Sequence, residues 1–297
     1  MVLGGWIIPF ENIKKVDFWR AVGSEFIATA ILIFIGCGSV ELRLNDEAPT
    51  NSSNTVRIAL AFGFAVNILI KTFGPVSCCH VNPAVTIGFM VVGKVSIVRT
   101  LFYVVAQILG AILGAIILFG CLPGEYRNTL GATTLLNGVS LIQGYFTEAV
   151  LTFILLLSIS SCSDERRIEH FRMRITNPLT IGLTVSALHL VGVIEFCGIS
   201  SNYFYLFSFF KIPFTGCGIN PARSFGPALI SHRWNGHWIY WAGPIFGACI
   251  STISYQLFIS IKNDDASNDN GPGHQSDEIE MKHKAHTVFR EISESTK

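Results

Sequence analysis

The sequence predicts an all-α membrane protein: six transmembrane helices plus two re-entrant half-helices, arranged as an inverted repeat of two three-helix units. Three observations predict it. Half of the 297 residues are hydrophobic and only 14% are charged, whereas a soluble domain carries about 25% charged residues. Six apolar segments approach or exceed the roughly 20 residues a helix needs to cross the hydrocarbon. The words Asn-Pro-Ala occur twice, at Asn82 and Asn220, 138 positions apart, and each opens an apolar run too short to span.

The spans are read at about 18–40, 56–73, 99–122, 141–162, 175–194 and 237–261. Residues 1–16 form an N-terminal segment. Lys14, Lys15 and Arg20 stand at the start of the first span, and no cleavable signal precedes it, so that span is expected to act as its own insertion signal. The second span is short, bounded by Arg57 and Lys71. The third and sixth carry small-xxx-small pairs, Gly110 with Gly114 and Gly243 with Gly247, a spacing that lets helices approach closely. The first and fourth each carry Glu-x-x-x-Thr: Glu25 with Thr29, and Glu148 with Thr152. Residues 262–297, rich in Asp, Asn, Ser, Lys and Glu, read as a disordered tail.

The membrane domain is thus residues 17–261, with repeat one at about 17–122 and repeat two at about 141–261. Three spans per copy is an odd number, so the copies insert in opposite senses. Inverted repeats of this kind build a site near the bilayer midplane from broken helices. Six spans put both termini on one side. That side also holds Lys71, Lys94, Arg99, Arg166, Arg167, Arg172 and Arg174, against Arg43, Arg57, Arg127, Lys211 and Arg233 opposite. By the excess of basic residues, both termini face the cytoplasm. The first external loop then contains Asn51-Ser52-Ser53, a glycosylation acceptor pattern that chance also produces.

Asn is a strong N-cap and Pro suits the first helical turn, so Asn-Pro-Ala reads as a helix start. Two half-helices from opposite faces would meet amino end to amino end, focusing their positive dipole ends at the midplane. That field repels protons and cations. The side-chain N–H groups of Asn82 and Asn220 are expected to donate to a passing water oxygen.

The segments His80-Val81-Asn82-Pro83-Ala84-Val85-Thr86 and Thr215-Gly216-Cys217-Gly218-Ile219-Asn220-Pro221-Ala222-Arg223-Ser224-Phe225-Gly226-Pro227-Ala228 resemble the aquaporins, the major intrinsic protein family. The resemblance covers nearly all of residues 17–261. It implies a passive water channel with no cofactor. It also implies a four-residue selectivity filter of Phe62, His189, Cys217 and Arg223. Phe62 and His189 are bulky, so glycerol should not pass. Cys217 becomes the expected mercurial-sensitive thiol. Glu25 and Glu148 resemble the family's buried carboxylates that hold the re-entrant loops, with His80 in the first loop; a proton-relay role is the alternative. Ser224, and the pair Tyr240-Trp241, resemble the water-selective branch, with wording most similar to insect water channels. The family also implies a homotetramer, each subunit with its own pore, in the plasma membrane.

Cys78 and Cys79 occupy positions where the family usually has Gly at one or both. A second departure is an apparent insertion, Val193 to Lys211, within the 26 positions from His189 to Thr215. Its first codon begins GT, one lysine codon ends AG, and Tyr203 to Phe210 requires T-rich codons. A translated retained intron and a genuine external loop with interfacial aromatics both account for it.

Other classes fit less well. A net charge of +1 gives no sign of nucleic-acid binding. Eight cysteines show no zinc spacing. No nucleophile–base motif suggests an enzyme. A secondary transporter would need more intramembrane acids than Glu25 and Glu148. An adhesive or junctional role would be compatible with the same fold.

Overall fold

The computed structural model describes residues 2–3, 6–7, 13–41, 52–136, 138–164, 171–192 and 215–260. Asn51, the stretch 193–211 and the tail 262–297 lie outside the described residues. Among the described residues, eight α-helices follow in order. They are α1 Val16–Glu41, α2 Ser52–Ser77, α3 Pro83–Val91, α4 Ile97–Cys121, α5 Leu141–Cys162, α6 Phe171–Gly192, α7 Pro221–Ser231 and α8 Ile239–Ser254. A π-helical turn, Tyr255–Ile259, extends α8. Two two-residue strands, Val2–Leu3 and Trp6–Ile7, pair antiparallel near the N-terminus.

Local chemistry sets the boundaries. Ser96 caps α4 by accepting from the Arg99 N–H at 3.0 Å. Ser140 and Gln143 form a reciprocal capping box at the start of α5, satisfying two otherwise orphaned donors. The short second span of the sequence reading is corrected: α2 runs 26 residues, a turn or more past Arg57 at one end and Lys71 at the other. Polar residues there end the apolar stretch but not the helix. Among the described residues, five helices are long and apolar enough to cross a membrane: α1, α2, α4, α5 and α8 with its extension. The fifth predicted span corresponds to α6.

The packing carries the repeat. Helix α1 packs on α4, and α5 on α8; α2 and α6 cross between the halves. Each half-helix leans on the third span of the other half, α3 on α8 and α7 on α4. Glycines permit these contacts. A Cβ on Gly110 or Gly114 would collide with the Phe26 and Ala30 carbonyl oxygens of α1. One on Gly247 would collide with the Ala149 carbonyl of α5, and one on Gly243 would lie 2.7 Å from the Tyr145 carbonyl. Phe26 and Ala149 each follow the glutamate of their Glu-x-x-x-Thr motif, so Gly110 and Gly247 are the equivalent pair. The outer faces are apolar: Leu101 is 63% exposed, Leu109 52% and Ile116 50%. Such a belt belongs in lipid.

Candidate functional site

The two Asn-Pro-Ala words start α3 and α7 as read. The Asn82 Oδ1 accepts from Ala84 N–H at 2.9 Å, and the Asn220 Oδ1 from Ala222 and Arg223 at 3.0 and 3.2 Å. Pro83 and Pro221 occupy the first turns. The two starts meet. Asn82 Nδ2 donates to the Ile219 carbonyl at 2.9 Å, and Asn220 Nδ2 donates to the Val81 carbonyl at 2.8 Å. Each amide therefore clasps the residue preceding the other. This differs from the expectation of free side-chain donors: one N–H of each amide is committed to the opposite loop.

Behind each loop sits a fully buried carboxylate. Glu25 Oε1 accepts from the Ser77 hydroxyl at 2.7 Å and from the His80 N–H at 2.9 Å. Its Oε2 accepts from the Val81 N–H at 2.7 Å. Glu148 repeats the pattern with the Thr215 hydroxyl, the Gly218 N–H at 2.8 Å and the Ile219 N–H at 2.6 Å. Thr29 and Thr152 bond back to the Glu25 and Glu148 carbonyls of their own helices at 2.7 Å, fixing one face of each turn. The Tyr103 hydroxyl donates to the Ser77 carbonyl at 3.1 Å, and that of Tyr240 to the Thr215 carbonyl at 2.8 Å. Gln107 joins Glu25 to Thr86, and the His80 ring meets the Thr86 hydroxyl at 3.1 Å. Sequence reasoning missed Ser77, Thr215, Tyr103 and Gln107 as loop supports. The only available signal was Ser77 and Thr215 standing five residues before their asparagines.

The loops need unusual backbone. Cys78, Cys79 and Val81 have φ of 66°, 51° and 46°, matched by Gly216, Cys217 and Ile219 at 76°, 51° and 43°. Left-handed residues aim successive N–H groups into one concavity, here at the carboxylate.

A cavity of about 580 Å³ follows this axis. It runs from Lys71, Ser163 and Asn177, past Asn82 and Asn220, to Phe62, His189 and Arg223. At that end the Phe62 and His189 rings stack, centroids 4.3 Å apart at 20°. The Arg223 guanidinium lies 5.0 Å from the Phe62 centroid. Its Nη1 donates to the Gly131 carbonyl at 2.7 Å and to Cys37 Sγ at 3.4 Å. The buried Nε of Arg223 and Nε2 of His189 have no hydrogen-bond partner; with the His189 Nδ1–H donating to the Val185 carbonyl at 2.9 Å, they leave one donor and one acceptor unused beside the cavity. Rings in face contact leave no water-sized gap between them. Three of the four expected filter residues are thus brought together. Cys217 is placed differently: fully buried, it does not border the cavity and packs against Gly192 at the end of α6.

The six Asn-Pro-Ala residues are buried where the half-helices meet. Paired half-helices inside an inverted repeat of spans define an integral membrane channel rather than an enzyme. The comparisons agree. Residues 12–255 match the profile of the major intrinsic protein family. Aquaporin-5 of Sus scrofa is 42% identical over 247 residues, covering 82% of this chain and 83% of that protein. Aquaporin-1 of Homo sapiens is 36% identical over 260 residues, 86% of this chain and 87% of that protein. The crystal structure of the aquaglyceroporin from Plasmodium falciparum superposes with a TM-score of 0.67 at 23% identity, covering 82% of this chain and 97% of that one, which supports the fold alone. The chain belongs to the major intrinsic protein family.

Proposed function

We propose that the chain is a passive water channel in which Asn82 and Asn220 orient water at the junction of α3 and α7, and Phe62, His189 and Arg223 select at one end. The observation that carries the reading is the reciprocal amide clasp inside the cavity. Two helix amino ends face one point there, and their partial positive charges favour a neutral hydrogen-bonding molecule over a cation. Each clasping amide still has a second N–H for water. Arg223 adds a fixed cation at the filter. The stacked rings must part for a water to pass, so opening of the Phe62–His189 pair belongs to the conduction cycle. Glycerol needs a wider gap and is excluded.

The finer assignments belong to the same proposal. Cys217, on the loop that also carries Arg223, is the fourth filter residue and the mercurial-sensitive thiol, and its reaction requires movement of the Gly192 contact that buries it. Glu25, Glu148 and His80 support the loops. The channel works as a homotetramer in the plasma membrane with cytoplasmic termini. Asn51 is an external glycosylation position, and the stretch 193–211 bears on access to the filter from outside.

Stopped-flow swelling of vesicles holding the full chain tests this, beside a version lacking 193–211. Water flow should be fast, glycerol flow absent and no ion gradient required. Mercurials should block it, and Cys217→Ser should resist them. If neither version speeds water flow over empty vesicles, the reading fails. Block that persists in Cys217→Ser but not in Cys78→Ser would move the reactive thiol to the cavity wall.

A further inference from the structure

Arg223 keeps its place through a single loop residue. Its Nη1 donates to the Gly131 carbonyl at 2.7 Å, and Gly131 is itself held on its other side. The carboxylate of Glu41, the last residue of α1, accepts from the Gly131 N–H at 2.7 Å. The same carboxylate oxygen accepts from the Thr129 hydroxyl. Gly131 has φ of 66° and lies pressed on α1, where a Cβ would sit 2.8 Å from the Cys37 carbonyl. Cys37 is one turn before Glu41 and also receives Nη1 through its sulfur at 3.4 Å. One end of α1 therefore fixes both acceptors of the filter cation.

We infer that Glu41 is a positioning residue of the filter: it pins Gly131 so that the Gly131 carbonyl fixes the Arg223 guanidinium beside Phe62. The inference rests on reading the chain as a water channel. The Nε of Arg223 is without a partner, so the guanidinium depends on that carbonyl, a weak sulfur acceptor and the face of Phe62. A hydrogen bond at 2.7 Å is lost if the carbonyl shifts by about 1 Å. Without Glu41 the Gly131 N–H turns to water and the loop is held only by its contact with α1. The cation then loosens, and the filter admits planar solutes slightly wider than water.

The test uses the full chain in vesicles of equal channel content, with water and urea permeabilities measured for wild type, Glu41→Ala and Glu41→Gln. Glu41→Ala should raise the urea-to-water ratio about tenfold, the equilibrium worth of one charge-assisted hydrogen bond. Glu41→Gln should return most of the exclusion, because its amide oxygen still accepts from Gly131. A purely structural role would reduce channel yield in Glu41→Ala while leaving the per-channel ratio at the wild-type value; that result overturns the inference. So does a Glu41→Gln channel as leaky as Glu41→Ala. A wild type that conducts no water sinks the functional reading first and the inference with it. A conducting wild type beside an unchanged Glu41→Ala ratio sinks the inference alone.

Discussion

Single residues in this chain are placed by partners far away in sequence. Glu148 serves three donors on the loop before Asn220 and is fully buried. Glu148→Gln would turn one acceptor oxygen into a donor facing a donor. That leaves a buried N–H unpaired, at a cost of about 1–3 kcal/mol. The expected outcome is a lower melting temperature of the purified protein and loss of water flow. Cys78 offers the opposite case. It holds φ of 66° where its counterpart in the other half is Gly216 at 76°. A left-handed conformation costs a residue with a Cβ roughly 1–2 kcal/mol, so Cys78→Gly should raise the melting temperature. The sequence signalled this position only as a departure from the resemblance. The backbone angle supplies the physical reason. Glu25 and Glu148 were legible because an acid inside an apolar run demands partners. Ser77, Tyr103 and Glu41 were not, since a hydroxyl or a helix-end carboxylate is unremarkable until its partner is known.

At the level of helices, apolar length located all six spans, and the Asn-Pro pair located both half-helix starts to within a residue. What length could not give was how the helices meet. The small-xxx-small spacing marked α4 and α8 as close-packing, yet only the structure shows which carbonyls their glycines approach. This gives a paired prediction. Gly110→Val should abolish assembly, since any Cβ there meets the Phe26 carbonyl, whereas Gly120→Val, with nothing within 4 Å, should be tolerated. Yield of monodisperse protein in detergent separates the two. In the second span, Arg57 and Lys71 mark the limits of the apolar stretch and not of the helix, which runs Ser52–Ser77. The helix continues through both: Lys71 is exposed, so its long stem can carry the charge to water, whereas Arg57 is half-buried with Nε and Nη2 out of solvent.

For the whole molecule, the inverted repeat explains why one cavity is served equally by two halves that share little wording. The pattern hydroxyl, N–H, N–H, asparagine recurs around Glu25 and Glu148 with the same spacing. The α2–α6 crossing joins the halves at Gly63 and Gly182, where a Cβ on either would crowd the other's backbone oxygen at 2.5 Å. The stretch 193–211 stands between His189 and Cys217 in the chain, and no pattern in the sequence decides its structure. Its effect is an osmotic measurement on the two chain versions.

The exchange of half-helices between halves has a consequence for synthesis. The main neighbour of α3 is α8, the last of the described α-helices to leave the ribosome. The Asn82 amide likewise waits for Ile219. A nascent chain halted before residue 219 therefore lacks both the α8 surface on which α3 packs and the Ile219 carbonyl that accepts from Asn82. The first half-helix thus gains its packing partner and its amide acceptor only from the second half of the chain.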